Sequence, residues 1–153
     1  GIEDGTFWGN KGKKVAFYRM DETMVEKYPI VDISEREAKT KPTRYPMAGM
    51  TSHEVKIGIF DTEKREITYL KTESPVNRYF TNISWSADDK IITVAEINRD
   101  QNHMWFNVYD AEDGHLIKTL FEETDNHWVE PCEPALFINE KQLFIFAWSF
   151  NKD

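Results

Sequence analysis

Apolar and polar residues alternate in short runs along this chain, and the runs recur in a fixed pattern. In one repeat an aromatic residue ends a run, a polar turn follows, and an apolar, β-prone run begins. Its three copies are residues 8–17, 85–94 and, more weakly, 137–146. In a second repeat, Asp61 and Asp110 each separate two apolar runs. Hairpins of these two kinds in alternation predict four-stranded antiparallel units, and repetition of such units is typical of a β-propeller.

The same pattern predicts where the strands lie. We expect a hairpin at 5–20 and strands at 54–60, 66–71, 79–86, 90–97, 103–110 and 115–121. The strand at 90–97 is apolar on both faces near its start, which indicates a position sandwiched between neighbouring blades. Trp8 and Trp85 are expected to be equivalent core positions of successive blades. No helical period persists beyond about two turns, so the predicted fold class is all-β.

Residues 21–53 interrupt this rhythm. They contain Pro29, Pro42 and Pro46, and the residue before a proline is driven towards extended conformations. We therefore predict an irregular insertion between strands, with one short strand at 30–33.

Length limits the number of blades. A propeller blade takes roughly 40–50 residues, so the 153 residues form two to three blades plus the insertion. Closed rings use about 4–8 blades. We expect residues 1–153 to be a partial β-propeller domain, cut from a larger protein.

Composition excludes some classes of function. The net charge of −8 argues against nucleic acid, because binding to phosphates depends on Lys and Arg. No apolar run approaches the roughly 20 residues of a membrane span, so no membrane segment is expected. Cys132 is the single cysteine, which leaves no internal disulfide.

No complete catalytic or metal site is visible in the residue pattern. None of the serines lies in a Gly-x-Ser-x-Gly elbow, and the four histidines lack metal-ligand spacing. Ser86, Asp88 and Asp89 fall in a predicted turn, where their side chains would bond to the backbone. We therefore predict no catalytic residue, no metal and no cofactor in this chain.

One loop is a candidate ligand site. Residues 124–134 are rich in Asp, Glu, His and Trp and follow a predicted strand. Because loops on rigid scaffolds often bind ligands, this loop is a candidate for lining a ligand channel.

Several segments together resemble the propeller domain of dipeptidyl peptidase IV-like serine peptidases, within the prolyl oligopeptidase group. The resemblance is closest to bacterial members. The Tyr-Pro-x-Ala-Gly stretch is the most specific match, followed by Arg-x-Gln-Asn before a strand. The matching segments, which are spread over the whole chain in the family's order, are residues 7–8, 15–22, 45–49, 79–85, 98–102 and 128–131.

The resemblance implies a two-domain exopeptidase. An eight-bladed propeller caps an α/β-hydrolase domain that carries the Ser, Asp and His of the catalytic triad, and that domain would lie outside this chain. Such enzymes release dipeptides with Pro or Ala in second position from polypeptide N-termini. In animal members the loop equivalent to 128–134 supplies Phe and Arg contacts to the substrate pocket. Here the loop is shorter and lacks those contacts, and Trp128 and Glu130 are the substrate-channel candidates. The resemblance also implies a periplasmic or cell-envelope location.

Two functions therefore remain open. The chain is either a non-catalytic propeller part that gates and positions peptides for such a peptidase, or a protein- or glycan-binding module with no linked hydrolase. A Gly-x-Ser-x-Gly elbow downstream would distinguish them. Expected partners are peptide substrates, the protein's own catalytic domain and a second copy of the chain, because exposed strand edges pair with other chains.

Overall fold

The computed structural model describes residues 5–72, 77–131, 133–139 and 142–145. Every regular element within these ranges is a β-strand, which confirms the all-β prediction. The strands are β1 (Thr6–Trp8), β2 (Lys14–Asp21), β3 (Lys27–Asp32), β4 (Lys39–Arg44), β5 (Glu54–Asp61), β6 (Glu66–Tyr69), β7 (Arg78–Trp85), β8 (Ile91–Asn98), β9 (His103–Asp110), β10 (Leu116–Thr124), β11 (Leu136–Phe137) and β12 (Leu143–Phe144). In this part of the chain, no helix is long and apolar enough to cross a membrane.

The strands form four antiparallel sheets. The first blade has the order β1-β2-β5-β6, and the second blade has the order β10-β9-β8-β7. Two smaller sheets pair β3 with β4 and β11 with β12. Each predicted strand from 54 onward is present, with ends that shift by at most three residues.

The second blade is covered on both faces. Ile92 and Val94, fully buried, belong to a core cluster shared with the first blade. Ala95 and Ile97 alternate with them along β8 and belong to a second cluster, which also includes Val129 and Ala135. Because side chains alternate between the two faces of a strand, a strand that is apolar on both faces must be covered on both. The predicted sandwiched position of this strand is thus confirmed.

Trp8 and Trp85 both end the first strand of a blade, but they are not equivalent in burial. Trp85 is 7% exposed, and its indole Nε1 donates to the carbonyl of Phe7 at 2.9 Å. Trp8 is 61% exposed. The prediction of two equivalent core positions was therefore wrong for Trp8. Trp85 is covered by the first blade, whereas no further sheet among the described residues packs on Trp8.

The insertion contains more regular structure than predicted. Residues Met20–Glu54 form a compact unit of their own, here called the arm. Its β3 and β4 pair over six residues each, with Pro29 opposite Pro42. The single strand predicted at 30–33 is therefore half of a hairpin. The prolines suggested irregular chain, but Pro is compatible with strands whose outer edges are unpaired.

Candidate functional site

The connections of the second blade lie at the two ends of its strands, which form two opposite edges of the sheet. The turn at 99–102 and residues 125–129 lie at the edge where β8 and β10 end, here called the loop edge. The turns at 86–90 and 111–115 lie at the opposite edge. Because loops on a rigid sheet often bind ligands, each edge is a candidate site.

Residues 125–129 form an arch on the loop edge. The backbone N–H of Asp125 donates to the carbonyl of Asn102 at 3.1 Å. The N–H of Val129 donates to the carbonyl of Gln101 at 2.8 Å. Val129 is also 6% exposed and packs in the second core cluster. Both ends of the arch are therefore attached to the 99–102 turn, and one end is also fixed in the core.

The arch carries the predicted site residue Trp128 between its two anchors. Trp128 is 54% exposed, and its ring is nearly perpendicular to that of His127, with centroids 6.0 Å apart. The Asp125 carboxylate accepts a hydrogen bond from the backbone N–H of His127 at 2.7 Å. Glu130, the other predicted residue, follows the second anchor and is exposed. An indole and a carboxylate are thus presented on one short segment, which could contact apolar and cationic groups of a ligand.

A buried ion pair lies within the second blade. Glu96 is fully buried, and its Oε2 accepts a hydrogen bond from Arg78 Nη1 at 2.8 Å. Its Oε1 accepts hydrogen bonds from Asn107 Nδ2 at 2.7 Å and from the Tyr109 hydroxyl. The Arg78 guanidinium carbon lies 4.4 Å from the centroid of the Trp105 ring, a cation–π distance. These contacts join β7, β8 and β9.

This network is structural. Burial, and then the Glu96 carboxylate, raise the pKa of Tyr109 far above its usual value, so its hydroxyl stays protonated and donates. Both oxygens of Glu96 accept hydrogen bonds, which a buried charge requires. The carboxylate therefore stabilises the sheet and is not presented to a ligand.

At the opposite edge, Asp89 links the two blades. Its carboxylate accepts the backbone N–H groups of Asn10 at 2.7 Å and of Lys11 at 2.9 Å. Asp89 is 5% exposed and has a left-handed φ of 59°. A Cβ atom on Gly9 would lie 2.6 Å from Asp89 Oδ2. The close approach of these two turns therefore requires glycine at position 9.

The neighbouring residues of that turn match the prediction. Ser86 Oγ donates to Asp88 Oδ1 at 2.8 Å and accepts the N–H of Ile91 at 3.1 Å. The Ser86 hydroxyl is the main reason that the pKa of Asp88 lies below its usual value. The prediction that Ser86 and Asp88 serve the turn is confirmed, whereas Asp89 also bonds to the first blade.

The first strands of three successive sheets lie side by side. β7 lies between β1 and β11, and Ser84 Oγ donates to the carbonyl of Ala135 at 2.6 Å. An open groove of about 540 Å³ runs along these strands. Trp8, Trp85 and Leu136 are among its lining residues. Adjacent first strands that border a common groove are the arrangement expected around a propeller axis.

A group of possible metal ligands belongs to the 111–115 turn. One ligand atom each of Asp110, Asp113 and His115 lies within 4.8 Å of the others. Asp110 Oδ1 accepts the N–H groups of Glu112 at 2.7 Å and Asp113 at 3.2 Å, and Asp113 Oδ1 accepts the N–H of His115 at 3.0 Å. Asp61 bonds the same way in the first blade. These carboxylates are therefore assigned to turn formation.

The structure thus places Trp128 on the arch and Glu130 directly after it, while Cys132 lies outside the described residues. Sequence reasoning missed the Glu96 network and the Asp89 contact. The one available signal for the network was Glu96 itself, a carboxylate in an otherwise apolar strand. Asp89 had no comparable signal, because acidic residues are common in turns.

A family model for the N-terminal region of dipeptidyl peptidase IV matches residues 1–153. The chain belongs to this family. The resemblance in the sequence and the prediction of an all-β fold with several blades are therefore confirmed.

Solved structures of the family have the same fold. A dipeptidyl aminopeptidase IV of Bacteroides ovatus ATCC 8483 matches with a TM-score of 0.80 and 50% identity, over 88% of this chain and 19% of that chain. Porphyromonas gingivalis dipeptidyl peptidase 4 matches with a TM-score of 0.73 and 17% identity, over 83% of this chain and 18% of that chain. The second match supports the fold alone.

Curated relatives are several times longer than this chain. A dipeptidyl-aminopeptidase B of Uncinocarpus reesii is 30% identical over 150 residues, which are 87% of this chain and 16% of that protein. One of Pyrenophora teres f. teres is 29% identical over 151 residues, or 87% of this chain and 17% of that protein. The chain therefore spans about a sixth of the length of these relatives.

Proposed function

We propose that this chain is part of the propeller domain of a serine dipeptidyl peptidase, and that it gates and positions the peptide substrate. The full protein would release N-terminal X-Pro and X-Ala dipeptides by means of a triad in an α/β-hydrolase domain outside this chain. The match to the family over all 153 residues supports the peptidase class.

The observation that carries the positioning role is the arch on the loop edge. Trp128 is exposed, yet the backbone on both sides of it is fixed by hydrogen bonds to the 99–102 turn. A rigid, exposed aromatic residue contributes contact area at a small cost in conformational entropy, as expected for a binding residue. In this proposal Trp128 packs on the peptide chain and Glu130 contacts its polar groups.

We propose that the chemistry itself is performed outside this chain. Among the described residues, the hydroxyls of Ser84 and Ser86 donate to Ala135 and Asp88 respectively. A nucleophilic serine needs an adjacent base instead. These two serines are therefore structural in this proposal.

The remaining partner assignments are proposals too. We propose an extracytoplasmic location, most simply the periplasm or cell envelope, and association with a second copy of the protein. Eleven of the twelve residues of β3 and β4 are exposed, which leaves the arm hairpin available for such contact. Light scattering over a range of concentrations tests the association, and a strictly monomeric protein would contradict it.

Hydrolysis of dipeptidyl chromogenic substrates tests the proposed function. The full-length protein should hydrolyse Gly-Pro and Ala-Ala substrates, and the 153-residue chain alone should hydrolyse neither. The proposal of a peptidase would be wrong if the full-length protein were inactive on both. Activity of the 153-residue chain alone would refute the non-catalytic role.

A further inference from the structure

The turn that joins β8 to β9 has an unusually complete set of hydrogen bonds. Asn98 Oδ1 accepts the backbone N–H groups of Asn102 and His103, both at 3.0 Å. Asn98 Nδ2 donates to Asn102 Oδ1 at 2.8 Å. The N–H of Gln101 donates to the carbonyl of Asn98 at 3.0 Å. Side chain and backbone of Asn98 therefore hold the turn in one conformation.

Gln101 has a left-handed backbone conformation, with φ of 56°. Non-glycine residues rarely adopt this conformation, and such strain persists only where the surrounding bonds maintain it. Here it accompanies the hydrogen bond from Val129 N–H to the carbonyl of Gln101. The next carbonyl, that of Asn102, accepts the N–H of Asp125.

Two consecutive carbonyls of one turn thus anchor the two ends of the arch. The anchored residues, Asp125 and Val129, are four positions apart, and Trp128 lies between them. The arch also has an internal bond, from the His127 N–H to the Asp125 carboxylate. The location of Trp128 therefore depends on the geometry of a turn that is some 27 residues earlier in the chain.

We propose that residues 98–102 are a positioning element for peptide substrates: through the carbonyls of Gln101 and Asn102 they set the location of Trp128. This inference rests on the proposed function of the arch. The residues of the turn are positioning residues, since they act through the arch. Their loss should weaken the binding of substrates long enough to reach Trp128, with little change in the rate of the chemical step.

A pair of substitutions at one position isolates this effect. Gln101→Val places a β-branched side chain at a left-handed φ and should distort the turn. Gln101→Gly keeps the carbonyl and favours the same φ, so it is the matched control. Asn98→Ala removes the side-chain hydrogen bonds of the turn and leaves the backbone at Gln101 unchanged in sequence. It replaces Gln101→Val as the disruptive variant if Gln101→Val does not fold. Asn98→Asp keeps the acceptor oxygen and should restore much of the native behaviour.

The first readout is hydrogen exchange at the Val129 amide in the full-length protein. We expect Gln101→Val and Asn98→Ala to speed this exchange by about tenfold or more, whereas Gln101→Gly and Asn98→Asp change it little. Asp89→Ala, at the opposite edge of the same sheet, controls for general loss of stability. It should not alter Val129 preferentially over other amides of β8 and β9.

The second readout is steady-state kinetics with a Gly-Pro chromogenic substrate and with longer peptides that share its N-terminus. In the two disruptive variants we expect KM for the longer peptides to rise about threefold or more, with kcat unchanged and the chromogenic substrate unaffected. Trp128→Ala should give the same pattern, and adding Gln101→Val to it should have little further effect.

The outcomes separate the two proposals. Unchanged exchange at Val129 in the disruptive variants overturns the positioning role, whatever the kinetics show. Unchanged KM for long peptides in Trp128→Ala refutes the substrate role of the arch even if exchange at Val129 rises. Faster exchange together with the selective rise in KM supports both proposals.

Discussion

The two complete blades join their second and third strands in very different ways. In the first blade, β2 ends at Asp21 and β5 begins at Glu54, so the connection is the arm. In the second blade, β8 ends at Asn98 and β9 begins at His103, so the connection is a turn of four residues. Both blades nevertheless have the same order of four antiparallel strands. The sheet therefore does not depend on the length of this connection, in keeping with the weak growth of loop-closure entropy with length.

The two connections also differ in what they do with apolar residues. Seven large apolar side chains of the arm are exposed, out of fifteen such side chains in the described residues. They are Met20, Tyr28, Ile30, Val31, Ile33, Tyr45 and Met47. By contrast, the short turn of the second blade lies beside strands whose apolar residues are buried on both faces. A β-prone apolar run thus indicates a strand in both regions, but it indicates a core only in the blade.

The largest expected effect comes from comparing two ion pairs, one in the second blade and one in the arm. Glu96→Ala should lower the free energy of unfolding by about 3–5 kcal/mol, because it leaves the buried Arg78 charge without its carboxylate. Glu35→Ala removes the exposed partner of Lys39 in the arm, and exposed pairs contribute little. Its effect on the urea midpoint should be close to measurement error. Similar losses in the two variants would contradict the structural role assigned to the Glu96 network.

A second test compares one residue type in both regions. Ile92 is fully buried in the blade, whereas Ile30 is 45% exposed in the arm. We expect Ile92→Ala to cost about 2–5 kcal/mol, since it creates a cavity in a packed core. Ile30→Ala should change stability by less than about 0.5 kcal/mol, as at most exposed sites. Urea unfolding would measure both changes in the free energy of unfolding. A large effect of Ile30→Ala would show that the arm is covered in solution.

A third and smaller effect concerns the bond between the two blades. Asp89→Ala should cost about 1.5–3 kcal/mol, because two backbone N–H groups lose a charged acceptor. Gly9→Ala should also destabilise the protein, since its Cβ would clash with the Asp89 carboxylate. The double variant should be less destabilised than the sum of the two, because removing Asp89 relieves that clash. Strict additivity in the same urea series would mean that the two residues do not interact.

The period-2 pattern was sufficient for the strands of the two blades because it is local. It predicted the strand at 90–97 as sandwiched, and β8 contributes to both core clusters. The hairpin turn after Trp85 was predicted for the same reason, since turn residues bond to their own neighbourhood.

The contacts that span the sequence could not be predicted this way. Glu96 meets Arg78 and Tyr109 across two different strand pairs, and Asp89 meets Asn10 from 79 residues away. The arch was predicted only as a loop rich in polar and aromatic residues. Its attachment to the 99–102 turn depends on backbone carbonyls, which no residue type reveals.

The most direct test of the account is the ratio of KM values for a longer peptide and for a Gly-Pro chromogenic substrate in the full-length protein and its Trp128→Ala variant. If the arch positions the peptide, KM for the longer peptide alone should rise by about threefold or more, with kcat unchanged. An unchanged ratio of KM values would contradict the substrate-positioning role.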